Sequence, residues 1–175
     1  MTADLARSFE PIARPDARVL VLGSMPGQDS LKAQQYYAHP RNAFWPIMGT
    51  LLGFDAGLPY EQRCAALTAN GIALWDVLRE CERPGSLDAA IVDATATVND
   101  FPGLFDSCPV IDAVCFNGAK SEQMFRRHAL PRLAGRRLQL TRLPSTSPAH
   151  ASLNFEAKLD AWRAVLETVH DRSAV

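Results

Sequence analysis

Residues suited to binding a flat polar ring lie together shortly after the first apolar run of the sequence. The run 19–22 ends in the turn 23–27, Gly-Ser-Met-Pro-Gly, and the cluster that follows consists of Tyr36, Tyr37, His39, Arg41, Asn42, Phe44 and Trp45. Aromatic rings, an arginine and an amide suit a hydrogen-bonding, partly anionic ligand such as a nucleobase on a sugar-phosphate. The alternative is that the aromatic residues are core side chains, which leaves the polar residues between them to be paired or solvated.

The elements that must position this cluster follow from the apolar pattern. Short apolar runs predict strands at 18–23, 72–75, 111–116 and 137–143, and the segments between and after them predict helices at 42–52, 58–70, 101–107, 119–128 and 154–169. Strands that alternate with helices predict an α/β fold, with a parallel sheet covered on both faces and the fourth strand at an edge. Ligands bind at the carboxyl ends of such strands. The loops 23–45, 76–86, 117–120 and 143–152 should therefore meet around one site.

Smaller elements can also be predicted. We expect one domain, 1–175, with an N-terminal arm, 1–16, that contains a short helix from about Ala3 to Phe9. Segment 76–83 should leave the sheet and turn at Pro84-Gly85. Helix N-caps are expected at Asn42 or a near neighbour, Ser86, Asn99 and Asn154, since these side chains accept hydrogen bonds from free helix amides.

The composition is that of an ordinary globular protein, and the distribution of charge is more informative than the total. Hydrophobic residues make up 47% of the 175 residues and charged residues 21%, which is ordinary for a globular protein, and the net charge of −1 neither supports nor excludes a nucleic-acid partner. Seven basic residues against one acid, Glu122, lie between Lys120 and Arg142. This block is either a phosphate-contacting patch or a solvated helix and loop.

The four cysteines, Cys64, Cys81, Cys108 and Cys115, form no C-x-x-C pair, which argues against a zinc or dithiol site. The first residues do not resemble a secretory signal, and no apolar run approaches a membrane span. These features predict a cytoplasmic protein with free thiols, no metal and no membrane contact.

The motifs resemble a known family. GSMPG at 23–27 with YYAHPRNAFW at 36–45 resembles the first motif of the uracil-DNA glycosylase superfamily, and LPSTSPAHA at 143–151 resembles its second. With GIALWD at 71–76, the chain is most similar to the hypoxanthine (deoxyinosine) DNA glycosylase branch. The resemblance covers nearly the whole chain. It implies a three-layer α/β/α sandwich around a four-stranded, mainly parallel sheet, and hydrolysis of the N-glycosidic bond of a flipped nucleotide without any cofactor.

The resemblance also implies residue roles. Phe44 matches the stacking aromatic of the family, and Asn42 matches the residue thought to handle water in the hypoxanthine branch, with His39 and Asp76 as alternatives. Asp76 stands where uracil-specific relatives carry a base-reading asparagine, and an ionised carboxylate accepts from a purine N–H. Further base contacts are expected from Ser24, Met25, Tyr37 and Asn117.

Two departures from the family pattern bear on the base that is removed. Met25 stands where many relatives carry an Asn or Asp that positions water, and Leu143 stands where some carry a histidine. Neither a thioether nor an alkyl group can accept a proton from water or stabilise a leaving base. We therefore expect weak or no activity on uracil.

DNA contacts are expected from both motifs. The hydroxyls and amides of Ser145, Thr146 and Ser147 on a proline-stiffened loop can clamp phosphates, and His150 can reach DNA or fill the gap left by the flipped nucleotide. Gly27 and Arg41 are the expected backbone contacts in the first motif. The apolar wedge of relatives is not evident in the sequence.

Other functions remain open at this point. The protein could be a glycosylase for uracil, xanthine or a mismatch product. It could also be a non-catalytic lesion-binding module, which Met25 and Leu143 favour and the HPRNAFW segment opposes. A small nucleotide-binding protein is disfavoured because both G-x-G-x-x-G and a P-loop are absent. The expected partner is single- or double-stranded DNA with a deaminated base, bound by a monomer.

Overall fold

Residues 5–170, which the computed structural model describes, form two β-sheets and a set of helices. In chain order the elements are β1 (Leu5–Arg7), β2 (Val19–Gly23), α1 (Gln28–Ala33), α2 (Phe44–Leu52), α3 (Tyr60–Ala69), β3 (Ile72–Asp76), β4 (Leu78–Glu82), 3₁₀ turns at Asp88–Ala90 and Asp93–Thr95, β5 (Thr97–Val98), α4 (Phe101–Ser107), β6 (Ala113–Asn117), α5 (Ala119–Met124), a π turn at Phe125–Ala129, a 3₁₀ turn at Leu130–Arg132, β7 (Gln139–Leu143) and α6 (Phe155–His170).

The four predicted strands form one parallel sheet in the order β3-β2-β6-β7. Every residue of β2, β3 and β6 is buried, so both faces of the sheet are covered, and this is why these strands are nearly continuous apolar runs. Strand β7 is partly exposed, as expected of an edge strand. The prediction of a three-layer α/β/α sandwich around a four-stranded parallel sheet is confirmed.

Aromatic side chains anchor the helices to the sheet. The Phe125 ring packs edge-on against Phe101 at 5.2 Å and tilted against Phe116 at 5.3 Å, which joins α4 and the π turn to β6. The Phe44 ring packs edge-on against Trp162 at 5.9 Å, which joins α2 to α6. The fully buried rings of these helices thus fix where α2 begins, and α2 follows directly on the HPRN segment of the first motif.

The second sheet agrees with one prediction and contradicts another. Segment 76–83 leaves the main sheet as predicted, but its strand β4 was not predicted and is the central strand of a small antiparallel sheet, β1-β4-β5. The predicted helix from Ala3 to Phe9 is wrong over its described part, because Leu5–Arg7 pairs as a strand with Glu80–Glu82; residues 3 and 4 lie outside the described residues. Three residues are too short to show a period, so the partner strand decides their conformation.

The predicted helix caps have mixed outcomes. Asn154 caps α6 as expected, its Oδ1 accepting from the Ala157 amide at 2.9 Å. Asn99 does not cap α4; Asp100 does, accepting from the Gly103 amide. Asn42 lies one residue before the N-cap of α2 and accepts from the Phe44 amide.

Ser86 does not cap the stretch 87–91 that follows it; its Oγ accepts instead from the amide of Gln28, the first residue of α1. Among residues 5–170, no helix combines the length and apolar character needed to cross a lipid bilayer.

Candidate active site

A cavity of about 880 Å³ opens at the carboxyl ends of the parallel strands, where the four loops meet. Its walls include most of the residues singled out from the sequence: Ser24, Met25, Gly27, Tyr37, His39, Asn42, Asp76, Asn117, Ser145, Thr146, Ser147 and His150. Phe44 lies beneath the wall, and Arg41 is exposed outside it. The structure therefore brings both motifs and the end of β3 to one place.

Asp76 is the buried carboxyl of this cavity. It ends β3 opposite Gly23 of β2, and its Oδ2 has no hydrogen-bond partner among the described residues. Burial and the charge of Asp88 raise the pKa of Asp76 to about 7, while Arg83 opposes the rise. An unused oxygen on a buried carboxyl is expensive, so this atom is suited to a ligand that supplies the missing partner.

Gly23 makes room for Asp76 and for the Tyr37 hydroxyl. A Cβ at Gly23 would lie 2.4 Å from Asp76 Oδ1 and 2.9 Å from Tyr37 Oη, distances that real side chains do not adopt. Burial and Asp76 raise the pKa of Tyr37, and the nearby Asn117 side chain lowers it. Even so, the Tyr37 hydroxyl makes no hydrogen bond of acceptable geometry within residues 5–170. The Asp76 carboxyl and the Tyr37 hydroxyl thus both lie close to Gly23.

Phe44 does not offer a free ring face in this arrangement. Its ring is stacked on Tyr37, with ring centroids 4.2 Å apart and an interplanar angle of 29°. Tyr37 is held at a positive φ of 54° and lines the cavity, whereas Phe44 does not. Of the two rings, Tyr37 is therefore the one on the cavity side, and Phe44 packs against it. Sequence reasoning named both rings but could not order them.

Asn42 and His39 stand in the wall formed by the first motif. Asn42 Oδ1 accepts from the Phe44 amide at 3.0 Å, a bond that orients the side-chain amide at the start of α2. His39 Nδ1 accepts from the Arg41 amide at 3.0 Å, and its Nε2 lies 3.8 Å from Asp29 Oδ2. Both ring nitrogens of His39 thus have neighbours in the protein, and the Asn42 side chain is fixed through its oxygen.

Asn117 ties the end of β6 to the second motif. Its Oδ1 accepts from the Thr146 amide and its Nδ2 donates to Thr146 Oγ1, both at 2.9 Å. Thr146 is only 1% exposed, and its carbonyl accepts from the Ala43 amide at 3.0 Å. These bonds use the polar atoms expected to contact base and phosphate. The geometry therefore favours Asn117 and Thr146 as residues that position the loop.

The remaining hydroxyls of the second motif shape the rim of the cavity. Ser145 Oγ accepts from the Ser147 amide and Ser147 Oγ from the Ala149 amide, both at 3.2 Å. His150 Nε2 lies 3.3 Å from Ser152 Oγ. Each hydroxyl keeps its hydrogen for donation, so Ser145 and Ser147 remain suited to an anionic oxygen at the rim.

Arg83 is a functional residue that sequence reasoning missed. It is only 2% exposed, and its guanidinium donates to the carbonyls of Met25 at 3.2 Å, Pro26 at 2.5 Å and Gly85 at 2.9 Å. It thereby fastens the first-motif turn to the turn after β4. No local signal identifies it, because an arginine before Pro-Gly is typical of a solvated turn.

Asp88 was also missed. Ser24 Oγ donates to Asp88 Oδ1 at 2.5 Å, and Asp88 lines the cavity. Burial raises the pKa of Asp88, against the lowering effects of Ser24, Arg83 and Lys120. Ser24, predicted to contact the base, is thus engaged by a neighbouring carboxyl.

The basic block between Lys120 and Arg142 is partly neutralised within the protein. Lys120 pairs with Asp93 at 2.7 Å, and Arg126 and Arg142 both pair with Glu122. Arg136 pairs with Asp106 at 3.2 Å. The local excess of positive charge is therefore smaller than the sequence suggests.

Comparison with known proteins places this geometry in context. The family model described as "Uracil DNA glycosylase superfamily" matches residues 11–168. A hypoxanthine DNA glycosylase of Methanosarcina acetivorans is 34% identical over 92% of this chain and 98% of its own length. A hypoxanthine DNA glycosylase of Methanosarcina barkeri is 40% identical over 66% of this chain and 72% of its own length.

A solved structure is also similar. The solution NMR structure of a candidate uracil DNA glycosylase from Methanosarcina acetivorans matches with a TM-score of 0.79 and 33% identity. The match covers 94% of this chain and 98% of that chain. The fold is therefore shared over nearly the full length of both proteins.

Proposed function

The chain belongs to the uracil-DNA glycosylase superfamily, and on that basis we propose that it is a monofunctional DNA glycosylase that releases hypoxanthine from deoxyinosine. The two relatives described above carry the name hypoxanthine DNA glycosylase. The observation that supports this base choice most directly is the buried Asp76 carboxyl, whose Oδ2 has no partner among the described residues of the cavity.

Asp76 is suited to read one edge of a purine. Hypoxanthine carries an N–H donor beside a carbonyl acceptor, and an ionised carboxylate can only accept. In its ionised form Asp76 accepts from that N–H, which satisfies the free Oδ2 and repays part of the cost of burying the charge. The base stacks on Tyr37, whose ring Phe44 supports at 4.2 Å.

The reaction breaks the bond between C1′ of the sugar and N9 of the base and forms a bond from C1′ to a water oxygen. The sugar becomes oxocarbenium-like as the base departs, so weak activation of water is sufficient. Asn42, held by the Phe44 amide, orients that water. The leaving hypoxanthine accepts a proton from solvent and departs as a neutral purine, the attacking water loses one proton to solvent as its oxygen bonds to C1′, and an abasic site remains.

The same cavity is poorly equipped for uracil. Met25 is buried in its wall and Leu143 is buried at the end of β7, so neither position offers a group that can position water or hydrogen-bond a leaving pyrimidine. These residues also favour a second candidate function, a lesion-binding module without catalysis. The two functions differ in whether the base is released.

Single-turnover base release separates these functions. Otherwise identical duplexes, each with one hypoxanthine, uracil or xanthine, are incubated with wild-type protein, Asn42→Ala or Asn42→Asp. We expect fastest release of hypoxanthine and a loss of about 100-fold in Asn42→Ala, the size of effect typical of removing a group that assists proton transfer. Asn42→Asp should retain more activity, since a carboxylate oxygen can still accept from the Phe44 amide.

Each outcome has a clear consequence. Undiminished release by Asn42→Ala, with the unfolding midpoint unchanged, would remove Asn42 from the water-handling role. Tight binding without release from any duplex would exclude the enzyme and leave the lesion-binding module.

The proposal also covers the oligomeric state, the form of the DNA substrate and the cellular location. The protein acts as a monomer on single- or double-stranded DNA, in the cytoplasm with access to the chromosome. The cytoplasmic location is supported by the cysteines. All four are free thiols, as is usual in a reducing compartment: Cys64, Cys81, Cys108 and Cys115.

A further inference from the structure

Lys158, on α6, is a buried cation without a carboxylate partner. The residue is only 5% exposed, and within residues 5–170 its Nζ forms no ion pair and donates to the carbonyl of Ser147 at 3.3 Å. Burial lowers the pKa of Lys158, because an ammonium that has lost water is disfavoured. An unpaired buried charge is costly, and a negatively charged ligand placed nearby would recover part of that cost.

The other cations near the cavity are better compensated. Lys120 pairs with Asp93 at 2.7 Å. Arg83 is buried too, but it serves three carbonyls. Burial lowers the pKa of Arg83 as well, and the nearby Asp88 and Asp76 carboxyls oppose that effect. Lys158 therefore stands apart, and the mechanism described so far makes no use of it.

Lys158 contacts the second-motif loop, residues 143–152, from within the protein, since Ser147 lines the cavity and Lys158 does not. Three carbonyls of this loop accept hydrogen bonds from the body of the protein: that of Pro144 from Trp162 Nε1, that of Thr146 from the Ala43 amide and that of Ser147 from Lys158 Nζ. With these negative ends engaged, the loop is left with hydroxyl hydrogens to offer an anion.

We propose that Lys158 supplies the positive charge for one DNA phosphate that the second-motif loop holds. The Ser145 and Ser147 hydroxyls accept from backbone amides and keep their hydrogens for donation. A phosphate oxygen bonded to Ser147 Oγ would lie within about 10 Å of Lys158 Nζ, the screening length at 0.1 M salt, and buried charges are screened less than exposed ones. This rests on the proposed function, since the phosphate belongs to the DNA substrate.

Two neutral variants separate this role from a structural one. Lys158→Met keeps a long stem without charge, and Lys158→Gln also keeps a donor for the Ser147 carbonyl. Both should unfold at a urea concentration equal to or above that of wild type, because an unpaired buried charge is removed and the Ser147 carbonyl keeps the His150 amide as a donor. Stability and DNA binding should therefore change in opposite directions or independently.

Binding is measured on a duplex with a tetrahydrofuran abasic analogue, so that no base release is needed. We expect both variants to bind about tenfold more weakly than wild type, and the slope of log Kd against log salt to fall by about 0.9, the value for one neutralised phosphate. Arg163→Met is the matched control. It removes one positive charge from the same helix, but from a side chain that is 55% exposed, and it should change neither quantity.

Neutral methylphosphonates then identify the phosphate. Each phosphate that flanks the analogue is replaced in turn, and Kd is measured for wild type and the two Lys158 variants. One replacement should weaken wild type by about tenfold and the variants by less than about twofold, since the charge that this phosphate meets is already absent.

The outcomes distinguish this proposal from the proposed reaction. Release of hypoxanthine by wild type, with the same methylphosphonate response in wild type and both variants, would overturn the role of Lys158 alone. A response that depends on Lys158, without base release from any duplex, would overturn the reaction and leave the role of Lys158 standing. Binding by Lys158→Gln as tight as wild type, or a loss equal at every salt concentration together with earlier unfolding, would reduce Lys158 to a structural residue.

Discussion

Replacing Arg83 by leucine should destabilise the fold by about 3 kcal/mol or more, the usual cost of leaving buried acceptors without their charged donor. Three carbonyls, those of Met25, Pro26 and Gly85, would lose their common donor. Leucine fills part of the volume but donates nothing. The first-motif turn would also detach from the turn after β4, so base release should fall together with stability. Urea unfolding and single-turnover release check the two effects.

Arg83→Lys is the matched control for this experiment. An ammonium keeps a positive charge near Asp76 and Asp88, but its point-like head cannot serve three carbonyls in the way a planar guanidinium does. We expect its stability to lie between wild type and Arg83→Leu. If Arg83→Leu unfolded at the same urea concentration as wild type, the buried guanidinium would not hold the cavity together.

Asp76→Asn should stabilise the protein at pH 8 and leave it nearly unchanged at pH 4. The pKa of Asp76 is raised from 3.8 in the unfolded chain to about 7 in the fold. Well below pH 4 the carboxyl is neutral in both states, so its burial carries no ionisation penalty, and at pH 4 the penalty is still under about 1 kcal/mol. As the pH rises to 7, the carboxyl ionises in the unfolded state first. The free energy of unfolding therefore falls, and this loss is complete above pH 7.

The rise in the pKa of Asp76 corresponds to an upper bound of about 4 kcal/mol of stability. Urea unfolding gives the stability difference between wild type and Asp76→Asn at pH 4 and at pH 8. The change in this difference between the two pH values measures the ionisation penalty. Asp160→Asn is the control, since this side chain is 86% exposed on α6. A gap between wild type and Asp76→Asn that stays constant with pH would show that Asp76 titrates normally.

The main sheet could be predicted because its burial is visible along the chain. Strands covered on both faces need apolar residues at every position, and 19–22 and 72–75 have them. Since carboxyl ends of parallel strands meet at one edge, the motif residues that follow those strands reached the same cavity. Fold and location of the site thus follow from local pattern and one topological rule.

The internal order of the site could not be predicted in the same way. Phe44 and Tyr37 are both aromatic, and only their packing shows that Tyr37 lies on the cavity side. Asn117 and Thr146 are both polar, and only their mutual hydrogen bonds show that they serve each other. Arg83 is identified by its acceptors, two of which, the carbonyls of Met25 and Pro26, belong to a distant segment. Such roles depend on contacts that only the folded chain creates.

The pairing of β1 with β4 limits where this chain can be shortened. The family match begins at residue 11, after β1 has ended at Arg7. A chain trimmed to that match would keep β5 on one side of β4 and leave its other backbone edge bare. Bare strand edges recruit strands from other molecules. Trimming would therefore favour aggregation and loosen the turn after β4, so a protein engineer should retain the sequence from at least Leu5 onward.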